Sequence, residues 1–209
     1  MADPIGLHEV GAMAPGHYGV EGTGCRIHVA TLGTVWNVQG DPARTSVIAD
    51  AQQLFGIALP LVPNTARRSE TLLGLWIGPR SWLLIEGDAA RRAAALANFD
   101  AKRDALNAGG SALFDVSASR VAFTIRGAHA NDVLAANCPL DFDARVFAPG
   151  ACAQSVLGRS AALYYRHATT PGFTVMVARS VAGDAWRTLR VAAAAWGYEV
   201  GSAAAFGAN

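Results

Sequence analysis

The amino-acid sequence predicts an α+β fold of two related split-βαβ-type units packed together, and three observations carry that reading. Apolar positions alternate along the chain between the two-residue spacing of strands and the 3.6-residue spacing of helices. Glycine and proline fall where the spacing changes. The order strand, glycine, helix start, proline-bearing loop and hairpin occurs twice. Val35-Trp36-Asn37-Val38-Gln39-Gly40-Asp41-Pro42-Ala43 opens one copy and Phe123-Thr124-Ile125-Arg126-Gly127-Ala128-His129-Ala130 the other.

Residues 1–24 hold eight Gly and Pro positions among scattered apolar side chains and read as an extended arm, with no continuous helix or strand. The first unit is expected over 25–117. Arg26 to Gln39, rich in Ile, Val, Thr and Trp, reads as one strand or a broken pair that Gly40 ends. Asp41 is then an N-cap and Pro42 a first helical residue, because Val47, Ile48, Ala51, Leu54 and Phe55 recur at helical spacing. A proline-containing loop covers 59–68. Leu72 to Ile77 and Trp82 to Glu86 form a hairpin around Gly78-Pro79-Arg80-Ser81, Asp88 caps a helix through Ala97 or slightly beyond, and Leu113 to Val116 is extended.

The second unit is expected over 118–200. It has a strand at Arg120–Arg126, a short helix at Ala128–Ala136 and a loop over 137–150. Strands follow at Cys152–Leu157, Ala161–His167 and Phe173–Ala178, and Ser180 caps a helix carrying Trp186, Leu189, Val191 and Trp196. Residues 201–209, GSAAAFGAN, read as a loose tail.

Composition narrows the function classes. A chain of 209 residues is long enough for a sizeable core. Its net charge of +1 and the lack of a Lys/Arg run give no field for nucleic acid or an anionic membrane. No stretch nears 18 uninterrupted apolar residues, and Asp3 and Glu9 stand where a signal peptide would be basic, so a cytoplasmic protein is expected. Charged residues are 16% of the chain, against about 25% in an average domain, and 52% are hydrophobic. Alanine richness explains most of that excess, and a surface covered by a partner is a second reading compatible with it.

Chemistry-bearing motifs are sparse. Cys25, Cys138 and Cys152 are widely spaced and read as reduced thiols; Cys138 and Cys152 bracket one loop but are better taken as two small buried hydrophobes. His8, His17, His28, His129 and His167 form no ligand pattern, and neither a dinucleotide-binding glycine fingerprint nor a nucleophile elbow occurs. Ser117, two residues after Asp115, reads as part of a turn held by local hydrogen bonds. No catalytic, cofactor-binding or metal-binding residue is expected on this chain.

Phe114-Asp115-Val116-Ser117, followed by Arg120 through Ala130, resembles a signature of the folate-binding aminomethyltransferase superfamily. Cys138-Pro139-Leu140-Asp141 with Val146-Phe147-Ala148-Pro149-Gly150-Ala151-Cys152-Ala153-Gln154 is similar, more narrowly, to the gamma subunit of heterotetrameric sarcosine oxidase. Leu75 through Leu84 and Val177-Ala178-Arg179-Ser180 with Trp186 agree with it, so the resemblance runs from about residue 70 to 190 and more loosely from 26.

That resemblance implies an aminomethyltransferase-like fold and a structural or assembly role. The implied complex oxidises sarcosine with O2 to glycine and H2O2 and passes the one-carbon unit to tetrahydrofolate. Its implied partners are alpha, beta and delta subunits, and FAD, FMN, NAD and tetrahydrofolate are implied on those. Candidate interface or signature residues are Cys138, Pro139, Leu140, Asp141, Phe147, Pro149, Gly150 and Gln154. In the aminomethyltransferases the hairpin after this loop carries an acidic pair; here it reads Leu157-Gly158-Arg159-Ser160-Ala161-Ala162. Without a carboxylate to steer a proton or an iminium, folate-dependent transfer is not expected on this chain. The rival readings are a stand-alone folate-binding or aminomethyltransferase-like protein, and a gamma subunit serving another N-methyl amino acid.

Overall fold

The apolar run up to Gln39 breaks at Leu32-Gly33 into two strands, and each joins a different sheet. The computed structural model describes residues 14–206. Contacts divide them into two units, one of Thr31–Ser117 with residues 205–206 and one of residues 14–30 with residues 118–204. The strand Cys25–Thr31, read from sequence as the start of the first unit, therefore groups almost wholly with the second.

Strands are numbered β1 (Gly16–Tyr18), β2 (Cys25–Thr31), β3 (Thr34–Gln39), β4 (Ala66–Arg68), β5 (Leu72–Gly78), β6 (Ser81–Glu86), β7 (Ala112–Asp115), β8 (Arg120–Arg126), β9 (Cys152–Leu157), β10 (Ser160–Arg166), β11 (Phe173–Ala178), β12 (Tyr198–Val200) and β13 (Ala204–Ala205). Helices are α1 (Thr45–Phe55), α2 (Arg92–Ala97), α3 (Phe99–Ala108), α4 (Ala130–Ala135) and α5 (Ala182–Ala194).

In the unit of residues 31–117 the sheet order is β4-β5-β6-β3-β7, every pair antiparallel. Trp36 and Val38 on β3, Trp82 and Leu84 on β6, and Val47, Ala51 and Phe55 on α1 form its core with Leu106 of α3. The i, i+4, i+8 spacing of the α1 residues gives that helix one apolar face, and each fully buried large side chain contributes about 1.5–3 kcal/mol. The hairpin lies where the sequence predicts it. The helix begins at Thr45 instead of Pro42, because the Asp41 side chain closes a separate turn by accepting from Ala43 N (3.1 Å) and also takes Arg80 Nη2 at 3.0 Å. Asp88 does cap, accepting from Ala90 N at 2.8 Å, and the helical segment it starts runs on as α2 and α3 to Ala108. The loop expected over 59–68 ends in the short strand β4.

In the other unit the order is β1-β12-β2-β8-β11-β10-β9, with β13 also on β2. Here β2 stands between β8, antiparallel, and β12, parallel. Ile27, Phe123, Ile125, Tyr164, Phe173 and Val175 from the strands close on Val133, Leu134, Trp186 and Leu189 from the helices. The part of the 1–24 arm that is described contains a strand, since Gly16–Tyr18 pairs with Tyr198–Val200; residues 1–13 lie outside the described residues. Likewise the 201–209 tail is fixed by β13 and by Gly201 N donating to Ile27 O, and only 207–209 lie outside the described residues. Ser180 caps nothing: a 3-10 turn at Arg179–Val181 leads into α5 with Val181 at the cap and no side-chain bond. On α5 Trp186 and Leu189 are buried and Val191 faces solvent; Trp196, beyond the helix, stacks on His129 at 4.0 Å.

Candidate functional site: the loop from Cys138 to Gln154

The loop leaves α4 and enters β9, and it is fastened to its own unit at several points. Gly127, just before α4, has φ +124, and a Cβ there would come within 2.7 Å of Cys25 Cα, so the chain turns against β2 with no room for a side chain. At the loop's start Gly158 N donates to Asn137 O (2.8 Å), tying it to the β9–β10 turn. Cys138 is buried and hydrogen-bonds Tyr164, whose hydroxyl donates to Val156 O at 2.8 Å. Burial first, and Cys138 second, push the Tyr164 hydroxyl far above its ordinary range, so it stays a neutral donor.

The middle of the loop is an aromatic plug. Phe142 packs edge-on against Phe147, Tyr164 and Phe173, with ring centroids 6.0, 5.4 and 5.4 Å away. Phe147 stacks on Phe173 at 6.2 Å. One side chain holds both loop phenylalanines by their backbone: Arg166 Nη1 donates to Phe142 O (2.9 Å) and Phe147 O (3.2 Å), and its guanidinium lies over the Phe173 ring at 5.1 Å. Asn131 Nδ2 adds a second bond to Phe142 O at 3.2 Å.

Between the phenylalanines two aspartates shape turns. Asp141 Oδ1 accepts from Asp143 N and Asp143 Oδ1 from Arg145 N, each at 2.8 Å. The Arg145 guanidinium holds the Asp143 carboxyl below the usual carboxylate range, but both side chains are exposed and such a pair adds little stability.

Gly150 closes the loop with φ +83, a backbone region that a β-branched residue enters only under strain, and its N donates to Arg166 O at 3.0 Å. Of the sequence candidates, Cys138 and Phe147 are buried, Leu140 and Gly150 half-buried, and Pro139, Asp141, Pro149 and Gln154 exposed. Val146, between the plug residues, is 68% exposed. The loop thus exposes Pro139, Val146, Ala148 and Pro149 while its inner aromatic side chains anchor it.

The Asp115–Ser117 pair is the turn the sequence predicts. Ser117 N and its hydroxyl both donate to Asp115 Oδ1, and the same buried hydroxyl accepts from Val35 N at 2.8 Å. Its oxygen is committed to structure. Cys25, Cys138 and Cys152 are buried thiols outside any disulfide, and burial pushes the Cys25 thiol up to about 11. Among the described residues no three His, Cys, Asp or Glu side chains cluster to hold a metal ion, and no helix is long and apolar enough to cross a membrane.

A sequence model described as "Sarcosine oxidase, gamma subunit family" matches residues 39–195, three quarters of the chain. The chain belongs to the sarcosine oxidase gamma subunit family. Among solved structures, this gamma-family chain overlaps a chain of heterotetrameric sarcosine oxidase from Corynebacterium sp. U-96, in complex with pyrrole 2-carboxylate, at a TM-score of 0.74. The two are 20% identical over 86% of this chain and 88% of that one, and share their fold. The regulatory subunit of aspartate kinase from Thermus thermophilus, ligand-free, reaches a TM-score of only 0.34 at 13% identity, over 81% of this chain and 97% of that one, too low to bear on the fold. No curated protein matches this gamma-family chain.

Sequence reasoning identified the loop of this family member but missed what holds it. Phe142, Arg166, Asn131 and Phe173 make the anchor, and none was singled out. Arg166 had one visible signal: it stands next to last in the predicted strand Ala161–His167, a charge directly after two tyrosines.

Proposed function

We propose that this chain is the gamma subunit of a heterotetrameric sarcosine oxidase, with a structural and assembly role beside alpha, beta and delta subunits in the cytoplasm. The assembled enzyme oxidatively demethylates sarcosine with O2, giving glycine, H2O2 and 5,10-methylenetetrahydrofolate. The observation that carries this reading is the family match across residues 39–195. FAD, FMN, NAD and tetrahydrofolate belong, on this reading, to the partner subunits.

The relationship to folate-binding aminomethyltransferases enters the proposal as a matter of descent. It is supported by the strand order β5-β6-β3-β7, in which β6 separates β3 from β5 as in a split βαβ unit, and by its counterpart β10-β11-β8 in the other sheet. The residues do not fit folate chemistry: the β9–β10 turn at Gly158-Arg159 offers a cation and no carboxylate, and no step is assigned to it.

What this chain's residues do is hold a contact surface in shape. Arg166 and the four-ring plug fix the loop before any partner arrives, so little ordering entropy remains to be lost on docking. Pro139, Val146 and Pro149 form the face offered, with Gln154 and Val156 on the adjoining edge strand β9. Co-expression with the neighbouring flavoprotein subunits tests the proposal. A stable complex that is lost when this chain is omitted is expected; a monomer that joins no complex would falsify it. Calorimetry of the isolated chain with tetrahydrofolate separates the rival, since micromolar binding would favour a stand-alone folate protein.

A further inference from the structure

In the unit of residues 31–117, a depression of about 490 Å³ opens where β3 ends and α1 begins, well apart in sequence from the loop just described. Its lining includes Gln39, Asp41, Arg44, Arg80 and Ser111. Two guanidinium groups face one carboxylate there, and Asp41 is engaged by Arg80 at 3.0 Å. Arg44 is the N-cap residue of the eleven-residue α1, whose first turn carries no acidic side chain and whose cap makes no side-chain hydrogen bond. The positive end of that helix is therefore uncompensated by its own sequence.

A second, independent observation lies on the same wall. Ser111 is only 8% exposed, and its buried hydroxyl oxygen has no hydrogen-bond partner. Leaving such a group unsatisfied costs about 1–3 kcal/mol, so a buried hydroxyl lining an open depression is a donor waiting for an acceptor. Its surroundings are fitted closely: a Cβ on Gly40 would come within 2.7 Å of Ser111 Oγ, and one on Gly110 would collide with Arg44 Nη1. A side chain at Gly40 would crowd the serine, and one at Gly110 the guanidinium. Asp50 lies against Gly109 and is not part of the lining.

We propose that this depression, beside the N-terminus of α1, is a binding site for a small oxyanion, a phosphate or carboxylate group held by the Arg44 guanidinium and the Ser111 hydroxyl. The donors match that chemistry. Arg44 supplies a planar fork of N–H groups, Ser111 a single O–H, and the nearby helix end a positive potential. An acceptor-only group suits all three at once. The oxyanion belongs either to a free small molecule or to a carboxylate side chain of a partner subunit, and the proposal is independent of the reading of loop 138–154.

Inorganic phosphate is the probe. In phosphate-free buffer at constant ionic strength, the full chain is titrated with phosphate, following its thermal midpoint and the amide resonances of Gly110 and Ser111. Saturable shifts are expected, with affinity lowered about tenfold in Arg44→Gln and severalfold in Ser111→Ala. Arg44 is exposed, so its replacement leaves the fold intact. Ser111→Ala carries a second readout: without phosphate its midpoint equals or exceeds that of the unaltered chain, and phosphate reverses the order. Repeating the titration on the assembled complex separates the sources. Retained binding identifies a free oxyanion, whereas binding lost on assembly, with phosphate slowing assembly, identifies a partner's carboxylate. No saturable response in the free chain, or one that Arg44→Gln and Ser111→Ala both leave unchanged, overturns the site.

Discussion

After its first helix each unit crosses to its hairpin through a loop, residues 56–65 in one and 136–151 in the other, and in each a side chain from the sheet reaches across to hold a loop carbonyl. In the first, Trp82 Nε1 donates to Pro60 O at 2.7 Å; in the second, Arg166 donates to the carbonyls of Phe142 and Phe147. Each loop also exposes one valine, Val62 at 65% and Val146 at 68%. The difference lies in the strength of the grip. A neutral indole makes one bond, while one guanidinium nitrogen makes two charge-assisted ones and the group lies on an aromatic ring. The crossover after the first helix is thus held at one point in one unit and at two in the other.

Replacing Arg166 tests that contrast most severely. Arg166→Met should cost about 3 kcal/mol in urea unfolding, because two bonds to a charged group are lost. Hydrogen exchange should then quicken across 142–150 and stay unchanged across 56–65; equal quickening in both loops would erase the distinction. Arg166→Lys should recover less than half of the loss, since an ammonium lacks the planar fork.

Trp82→Phe should cost about 2 kcal/mol, one neutral hydrogen bond plus a partly filled cavity, and loosen only 56–65. Gly150→Val should cost about 1–2 kcal/mol for a β-branched residue at positive φ, with a further drop in complex yield after co-expression. Unchanged yield would remove the loop from the interface while leaving its anchor intact.

The smallest effect concerns β2, the strand that the five-stranded sheet has no counterpart for. Burial, and then Arg126 and Arg26, lower the pKa of His28 on that strand. The unfolded chain therefore binds a proton more readily than the folded one, so this residue's contribution is lost as pH falls through the unfolded value near 6.5. His28→Gln should flatten the acid side of the stability profile slightly; a slope that steepens would contradict the assignment.

The mixed α+β class, the hairpins and α5 were legible because strand and helix periodicities are strong in those segments. Helix starts were less so: Asp41 and Ser180 have the chemistry of caps, but Asp41 is drawn off by Arg80 and its own turn, and a 3-10 turn precedes α5. The loop's extent was legible, while its anchor was not, because Arg166 and Phe173 come from strands that follow it and meet it only in the fold. The depression at Arg44 was invisible for the same reason, since Ser111 lies far along the chain from the helix end it faces.

One consequence follows from the position of β2 between β8 and β12. Arg26 pairs with Arg126, and Cys25 with Tyr198, so a strand made early meets its first neighbour only after the intervening unit has been synthesised and its second near the end. At about 5–20 residues per second on the ribosome, β2 spends on the order of ten seconds with both edges open. Residues 31–117 are contiguous and can close their sheet during that interval, so the order of synthesis separates the two units in time. Arg26 and His28, a charge and a polar ring within the strand, discourage the waiting segment from pairing with a neighbouring nascent chain.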